Sequence, residues 1–203
     1  MSILSIRTIG GWALLINAAL MVVLLITITA SVGSDSVSVI IGEVLGLLFV
    51  VGLVAIWTTQ PHTGRLGQLS LLGIWCLGIA TTIAFLVRLT VLAGSIDVGD
   101  LIPLSSALFG LVGSILLGWA TIQAKVFHPA IGWLLIAGGV LNFVGGLLPP
   151  GAGALLVSIL TTILQTGAVG GYGWTMLHSA QTAQRAPEQP IGGQQSGHQA
   201  SLK

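Results

Sequence analysis

The sequence predicts an all-α membrane protein, a compact bundle of six transmembrane helices with a disordered C-terminal tail. The first observation is composition: of 203 residues, 54% are hydrophobic and only 5% are charged, and the mean hydropathy is +1.04. Because a soluble domain carries roughly 25% charged residues, most of this surface must face lipid. The second observation is that six hydrophobic runs each reach the roughly 20 residues that a helix needs to cross a bilayer. The third is that the connections between the runs are short and leave no room for a water-soluble domain.

In chain order, the predicted spans are residues 9–30, 39–60, 66–93, 101–124, 130–148 and 153–178. Helices are predicted because backbone amides cannot remain unpaired in hydrocarbon. Arg7 and the small residues "ASVGS" flank the first span as in a signal peptide, but its apolar segment exceeds the roughly 7–15 residues typical of one. We therefore expect an uncleaved first helix and a transmembrane domain over 1–178. Residues 179–203, rich in Gln, Gly, Ser and Pro, are predicted to form a disordered cytoplasmic tail.

The charged residues outside the spans sort by sign onto alternate connections, which predicts the orientation of the chain. The basic ones are Arg7, Arg65, Lys125, Arg185 and Lys203, and the acidic ones on the other side are Asp35, Asp97 and Asp100. Since Lys and Arg near helix ends favour the cytoplasmic face, both termini are expected in the cytoplasm, with the helices in the plasma membrane. Amphipathic indoles prefer the headgroup level, and five of the six tryptophans agree: Trp12, Trp57, Trp119, Trp133 and Trp174.

The spans carry signs of an internal repeat and of close helix packing. The second, fourth and sixth spans end in similar segments, "WTTQ", "WATIQ" and "WTMLH". This similarity suggests three tandem helical hairpins with a period of roughly 60 residues. The alternative is that interface chemistry alone places Trp at these helix ends. Small residues recur on the fourth span at Ser106, Gly110, Ser114 and Gly118, and glycine pairs occur on the second, fifth and sixth. Such stripes let helix backbones approach closely. They serve either a compact bundle or a contact with a second copy or another membrane protein.

Glu43 and Arg88 are the ionisable residues inside the predicted spans. Each lies about one helical turn, some 6–7 Å, from the outer end of its helix, on consecutive antiparallel spans. A lone charge at the bilayer centre costs about 2.5–3.5 kcal/mol on insertion scales, and pairing reduces this cost. We expect an ion pair between Glu43 and Arg88. The alternatives are that both side chains extend separately to the headgroups or that they form a functional ion or solute site.

A second polar set lies near the predicted midplane, on the fifth and sixth spans. Asn142 and Gln165 are each about 12 residues into their helices, and Ser158 and Thr162 share a helix face with Gln165. Hydrogen bonds between such groups hold membrane helices together, at about 0.6 kcal/mol each, and this is the role we expect. Lining a pathway is the alternative. Asn17 in the first span is open to the same two interpretations.

The sequence predicts no cofactor, no metal site and no catalytic residue. It contains no H-E-x-x-H, no G-x-S-x-G, no P-loop and no dinucleotide-binding glycine pattern. Three histidines on the cytoplasmic face, His62, His128 and His178, could bind a metal. No carboxylate or thiol accompanies them there, and solvated groups at the membrane interface are the role we expect. The net charge of +1 argues against a nucleic-acid partner, which would need a basic patch, and Cys76 has no second cysteine to pair with.

Three classes of function remain for a polytopic membrane protein of this kind: a permease or channel, an assembly protein and a membrane enzyme that acts on lipid. The enzyme ranks lowest because the sequence shows no nucleophile–base constellation. In a small permease or channel, Glu43 and Arg88 would bind or gate a solute, and Asn142 and Gln165 would line its path. In a non-catalytic assembly protein, the small-residue helix faces would dock a partner. The first two are separated by whether the polar residues face one continuous cavity or are consumed in pairwise contacts between helices.

Overall fold

A computed structural model describes residues 3–29, 35–60, 64–92, 101–149 and 151–185. These residues form six α-helices and no strand. The helices are α1 (Ile3–Thr29), α2 (Asp35–Thr59), α3 (Gly64–Leu92), α4 (Leu101–Ala124), α5 (Pro129–Leu147) and α6 (Ala152–Arg185). Each contains a segment that is long and apolar enough to cross a membrane, which confirms the predicted fold class.

The ends of the helices follow local chemistry, and three of them extend four to seven residues beyond the predicted spans: the starts of α1 and α2 and the end of α6. His128 precedes α5 as its N-cap, accepting a 3.3 Å hydrogen bond at Nδ1 from the backbone N–H of Ala130, and Pro129 occupies the first helical position. At the other extreme, α6 continues to Arg185, seven residues past the predicted end of the last span. The first part of the predicted tail is thus helical, and Ala180 within it is buried. The rest of that tail, from residue 186, lies outside the described residues.

The six helices form a closed ring in chain order. Each helix packs against its neighbours in sequence, and α6 packs back against α1. We call the side at which α1 begins and α6 ends the terminal side. On that side α1 and α2 are joined by a 3.0 Å hydrogen bond from Arg7 Nη2 to the carbonyl of Thr58, so the neighbours run antiparallel. The contact between α2 and α3 is much the smallest in the ring.

Glycines make the helix contacts close, since lipid offers no hydrophobic drive for helices to associate. In α3 and α4, a Cβ added to Gly73 would lie 2.7 Å from the backbone nitrogen of Leu117, and one added to Gly113 would lie 2.9 Å from the carbonyl oxygen of Gly73. The same mutual approach occurs between Gly118 of α4 and Gly132 of α5. The stripe predicted on the fourth span therefore packs inside the bundle.

The ring is packed unequally along its length. Its apolar core lies towards the terminal side and is built from all six helices; Leu14, Leu53, Ile56, Leu77, Leu117, Leu135, Tyr172 and Met176 are among its buried residues. Non-neighbouring helices do not approach one another across the ring, apart from a slight contact of α2 with α6. The centre of the ring must therefore be filled by side chains, and where these are small or absent a cavity is left.

Candidate functional site

A cavity of about 350 Å³ lies inside the ring, and all six helices contribute to its wall. Its volume falls within the range of small-molecule sites, about 300–1,000 Å³. Glu43 of α2, Arg88 of α3, Asn142 of α5 and Gln165 of α6 all line it. Four polar residues that are far apart in the sequence thus face one common space.

Glu43 does not form the predicted ion pair. Both of its carboxylate oxygens are buried, and neither has a hydrogen-bond partner. Arg88 does lie at the same level of the ring, but its guanidinium rests on the backbone of Gly42: a Cβ on Gly42 would lie 2.7 Å from Nη1. The guanidinium thus occupies the space that a side chain at residue 42 would fill, and the Arg88 residue as a whole is exposed. The carboxylate is left without a counter-charge, and it does not extend towards the headgroups either.

Asn17 of α1 supplies a further buried polar group in the wall of the cavity. The residue is 1% exposed, and its Nδ2 donates a 2.6 Å hydrogen bond to the carbonyl of Leu45 in α2. Its Oδ1 is buried and has no partner. One end of the amide therefore holds α1 to α2, as the structural interpretation expects. The other end is an unused acceptor beside the helix that carries Glu43.

Asn142 and Gln165 do not make the interhelical hydrogen bonds that the sequence suggested. In the described residues neither side chain has a hydrogen-bond partner, and Thr162 donates instead to the carbonyl of Ser158 within its own helix, at 2.9 Å. Close packing holds α5 to α6: a Cβ on Gly138 would lie 3.0 Å from Cγ of Gln165. The amide groups remain available to the cavity because glycine contacts already join these helices.

Two serines of α4 complete the polar lining, and their role was not foreseen beyond their small size. Ser106 Oγ donates a 2.9 Å hydrogen bond to the carbonyl of Ala80 in α3. Ser114 is buried against Gly139 of α5 and lines the cavity. A small residue at each of these positions leaves the space that a larger one would fill.

The terminal side of the ring is closed by a buried polar layer that the sequence did not predict. We use this name for Gln60, Thr121 and Tyr172, which come from the end of α2, from α4 and from α6. Thr121 Oγ1 lies 2.6 Å from the hydroxyl of Tyr172 and accepts a 3.1 Å hydrogen bond from Nε2 of Gln60. The ring of Phe127 packs edge-on against Tyr172, with centroids 4.9 Å apart. All three residues of the layer are at most 4% exposed, so side chains join three helices that do not pack closely on each other.

The tryptophans, and the histidines that the structure describes, are exposed and do not line the cavity. All six tryptophans are exposed, Trp75 included at 64%, so none of them forms an aromatic cage around the cavity. His128 and His178 are also exposed, and His62 lies outside the described residues. Within the part of the chain that is described, no group of three or more histidine, cysteine or acidic residues is placed to hold a metal ion.

The site is therefore a mainly apolar cavity in a ring of helices, with a few polar groups on its wall: an unpartnered carboxylate, a guanidinium and two unpartnered amides. Comparisons of the chain with protein-family models, with curated proteins and with solved structures give no match.

Proposed function

We propose that the chain is a small permease of the cell membrane that binds a polar solute in the central cavity. The observation that carries this proposal is that Glu43, Arg88, Asn142 and Gln165 line one space and that none of them is used to bond helices to one another. Intramembrane charges are expensive, and those that persist face cavities or pathways. A polar set with a purely structural role would instead be paired.

The position of the polar layer supports an outward-facing cavity. With both termini in the cytoplasm, as the charge distribution indicates, the layer of Gln60, Thr121 and Tyr172 lies at the cytoplasmic end of the ring. The cavity lies beyond it, towards the outer face. Passage of a solute into the cell then requires these three side chains to separate.

The assembly function has less support. Its premise is that small-residue helix faces are free to dock a partner. Of the small residues on those faces, Gly118, Gly138 and Gly171 instead contact neighbouring helices of the same chain.

A matched pair of glycine substitutions tests whether the cavity is the functional site. Gly110 lines the cavity, and a Cβ there would meet only Ala80 Cβ, at 3.9 Å, so Gly110→Leu should fill the space without breaking a helix contact. Gly78 has nothing within 4 Å of an added Cβ and does not line the cavity. Gly78→Leu is therefore the control for the change in helix propensity and hydrophobicity.

Proteoliposomes that carry each form are incubated with a mixture of small polar metabolites, and their contents are measured by mass spectrometry. We expect at least one solute to accumulate with the wild type and with Gly78→Leu, and not with Gly110→Leu or in empty liposomes. Equal contents in wild-type and empty liposomes for every solute would contradict the permease. Unchanged uptake by Gly110→Leu would show that the solute does not pass through the cavity.

A further inference from the structure

We infer that the cavity binds a zwitterion, a molecule that carries a primary ammonium group and an anionic group a short distance apart. This inference rests on the proposed function, because it names the class of solute that the same cavity takes. It concerns Glu43, Arg88 and Asn17, and it follows from which of their atoms lack partners and from the balance of charge in the wall.

The first argument is the charge balance of the cavity. Glu43 and Arg88 are the charged residues among those described in its wall, and they are not paired with each other. Their formal charges cancel. A ligand with a single positive charge would neutralise the carboxylate and leave an excess of positive charge, and a single negative charge would leave the opposite excess. A ligand that carries both charges satisfies both residues and keeps the cavity neutral.

The second argument is the number and kind of the unpartnered atoms. Among the residues that line the cavity, three buried acceptor atoms have no donor: Oε1 and Oε2 of Glu43 and Oδ1 of Asn17. A buried polar group without a hydrogen bond costs roughly 1–3 kcal/mol, and more if it is charged. An ammonium group has three N–H donors and no acceptor, so it matches the three vacant acceptors in number and in type.

The third argument is the setting of Arg88. Its guanidinium lies on the α2 backbone at Gly42, one residue before Glu43, and has no hydrogen-bond or ion-pair partner among the described residues. A guanidinium presents paired N–H donors that match a carboxylate or a phosphate. The anionic group of the ligand would thus bind at Arg88 while the ammonium group points to Glu43 and Asn17.

This pair of groups occurs both in free amino acids and in the headgroup of phosphatidylethanolamine. The test therefore has two arms. In the first, the purified full chain in a maltoside detergent is titrated with glycine, β-alanine and 4-aminobutyrate, which separate the two charges by increasing distances. Propylamine, propionate and glycine betaine are the controls, since each lacks the acid, the amine or the N–H donors.

In the second arm, the thermal unfolding of the chain is compared in phosphatidylcholine nanodiscs with and without phosphatidylethanolamine. A specific ligand raises the unfolding temperature because it binds only the folded state. Binding in the first arm identifies a free zwitterion as the ligand. A rise in the second arm without binding in the first identifies the lipid headgroup.

In the arm that gives binding, Glu43→Gln and Arg88→Gln should each weaken it by about ten- to a hundredfold, since each removes a charge-assisted hydrogen bond. Arg65→Gln is the matched control for Arg88→Gln: it makes the same change in charge near the start of α3, and because Arg65 does not line the cavity, it should leave the affinity within about twofold. Unchanged elution on a sizing column shows that a variant is folded.

The inference is overturned if propylamine or propionate binds as tightly as the amino acids, or if Glu43→Gln leaves the affinity unchanged. It is also overturned if neither arm shows binding. In that last case the permease survives as long as Gly110→Leu still abolishes uptake of some other solute, so the two failures are distinguishable.

Discussion

Replacing Gly113 by alanine should weaken the contact between α3 and α4, and the size of the effect follows from the atoms that surround it. An added Cβ would lie 2.7 Å from Cγ of Leu77, 2.8 Å from the backbone nitrogen of Leu77 and 2.9 Å from the carbonyl oxygen of Gly73. A flexible side chain could move aside, but two of these atoms belong to the backbone of α3. The helices must therefore separate, and overpacking of this kind costs about 1–3 kcal/mol.

Gly78→Ala is the control that isolates this cost. Gly78 also lies in a membrane helix, and an added Cβ there meets nothing within 4 Å. Both substitutions gain about the same helix propensity, close to 1 kcal/mol, so this gain cancels when the two variants are compared. Gly113→Ala should be about 1–3 kcal/mol less stable than Gly78→Ala.

The assay is reversible unfolding in mixed micelles with increasing sodium dodecyl sulfate, followed by far-UV circular dichroism or tryptophan fluorescence. Gly73→Ala provides a second check, because Gly73 and Gly113 belong to the same contact. The loss of stability in the double variant should be smaller than the sum of the two single losses. Equal stabilities for Gly113→Ala and Gly78→Ala would refute the close approach of α3 and α4 at this level.

Three further predictions address the polar groups and the orientation. Tyr172→Phe removes one hydrogen bond of the polar layer and should cost about 0.6 kcal/mol, and no more than roughly 2, in the same unfolding assay; a larger loss would mean that the layer acts as a single unit. Glu43→Gln and Arg88→Gln should have effects on stability that add within about 0.5 kcal/mol in the double variant, because the two residues do not pair; partial recovery in the double variant would restore the ion pair. A cysteine at Arg65, placed in a Cys76→Ala background, should react with a membrane-impermeant maleimide in inside-out vesicles and not in intact cells; labelling of intact cells would reverse the proposed orientation.

The sequence predicts the helices well because a membrane span is identified by the hydropathy of consecutive residues, which can be read directly from the sequence. The number of spans follows from six apolar runs, and every one of them is a helix in the structure. The last boundary is the largest exception: polar residues after Ser179 suggested a tail, yet the helix continues to Arg185. A helix can extend past the lipid without any change in its own hydrogen bonding. The change from apolar to polar residues therefore marks the end of the membrane span and not the end of the helix.

The side-chain contacts are harder to predict, because they depend on how each helix is rotated about its axis. Glu43 and Arg88 were placed at the same level by counting residues, and Arg88 does contact the neighbour of Glu43. Whether the two charges meet depends on a rotation of the helix by a fraction of a turn, and here the guanidinium lies against Gly42 and not against the carboxylate. The same applies to Asn142 and Gln165, for which the sequence predicts interhelical hydrogen bonds that neither side chain makes within the described part of the chain.

The polar layer illustrates what sequence reasoning overlooked. Gln60 and Thr121 lie within the closing segments "WTTQ" and "WATIQ", and Tyr172 lies two residues before "WTMLH". These segments were interpreted as interface signals because of their tryptophans. The neighbouring polar residues are buried inside the ring and hydrogen-bond to one another. The same short segments therefore expose tryptophan on one helix face and bury polar residues on another.

The thin contact between α2 and α3 determines where the protein can change shape at least cost. Between α3 and α4 and between α4 and α5, backbones meet at glycines, and separating these helices would expose closely packed main chain to lipid. Between α2 and α3, glycines face only the side chains of Thr81 and Arg88. An expansion of the cavity will therefore be concentrated at this one seam, and spin labels placed across it would record the motion while pairs across α3 and α4 stayed constant.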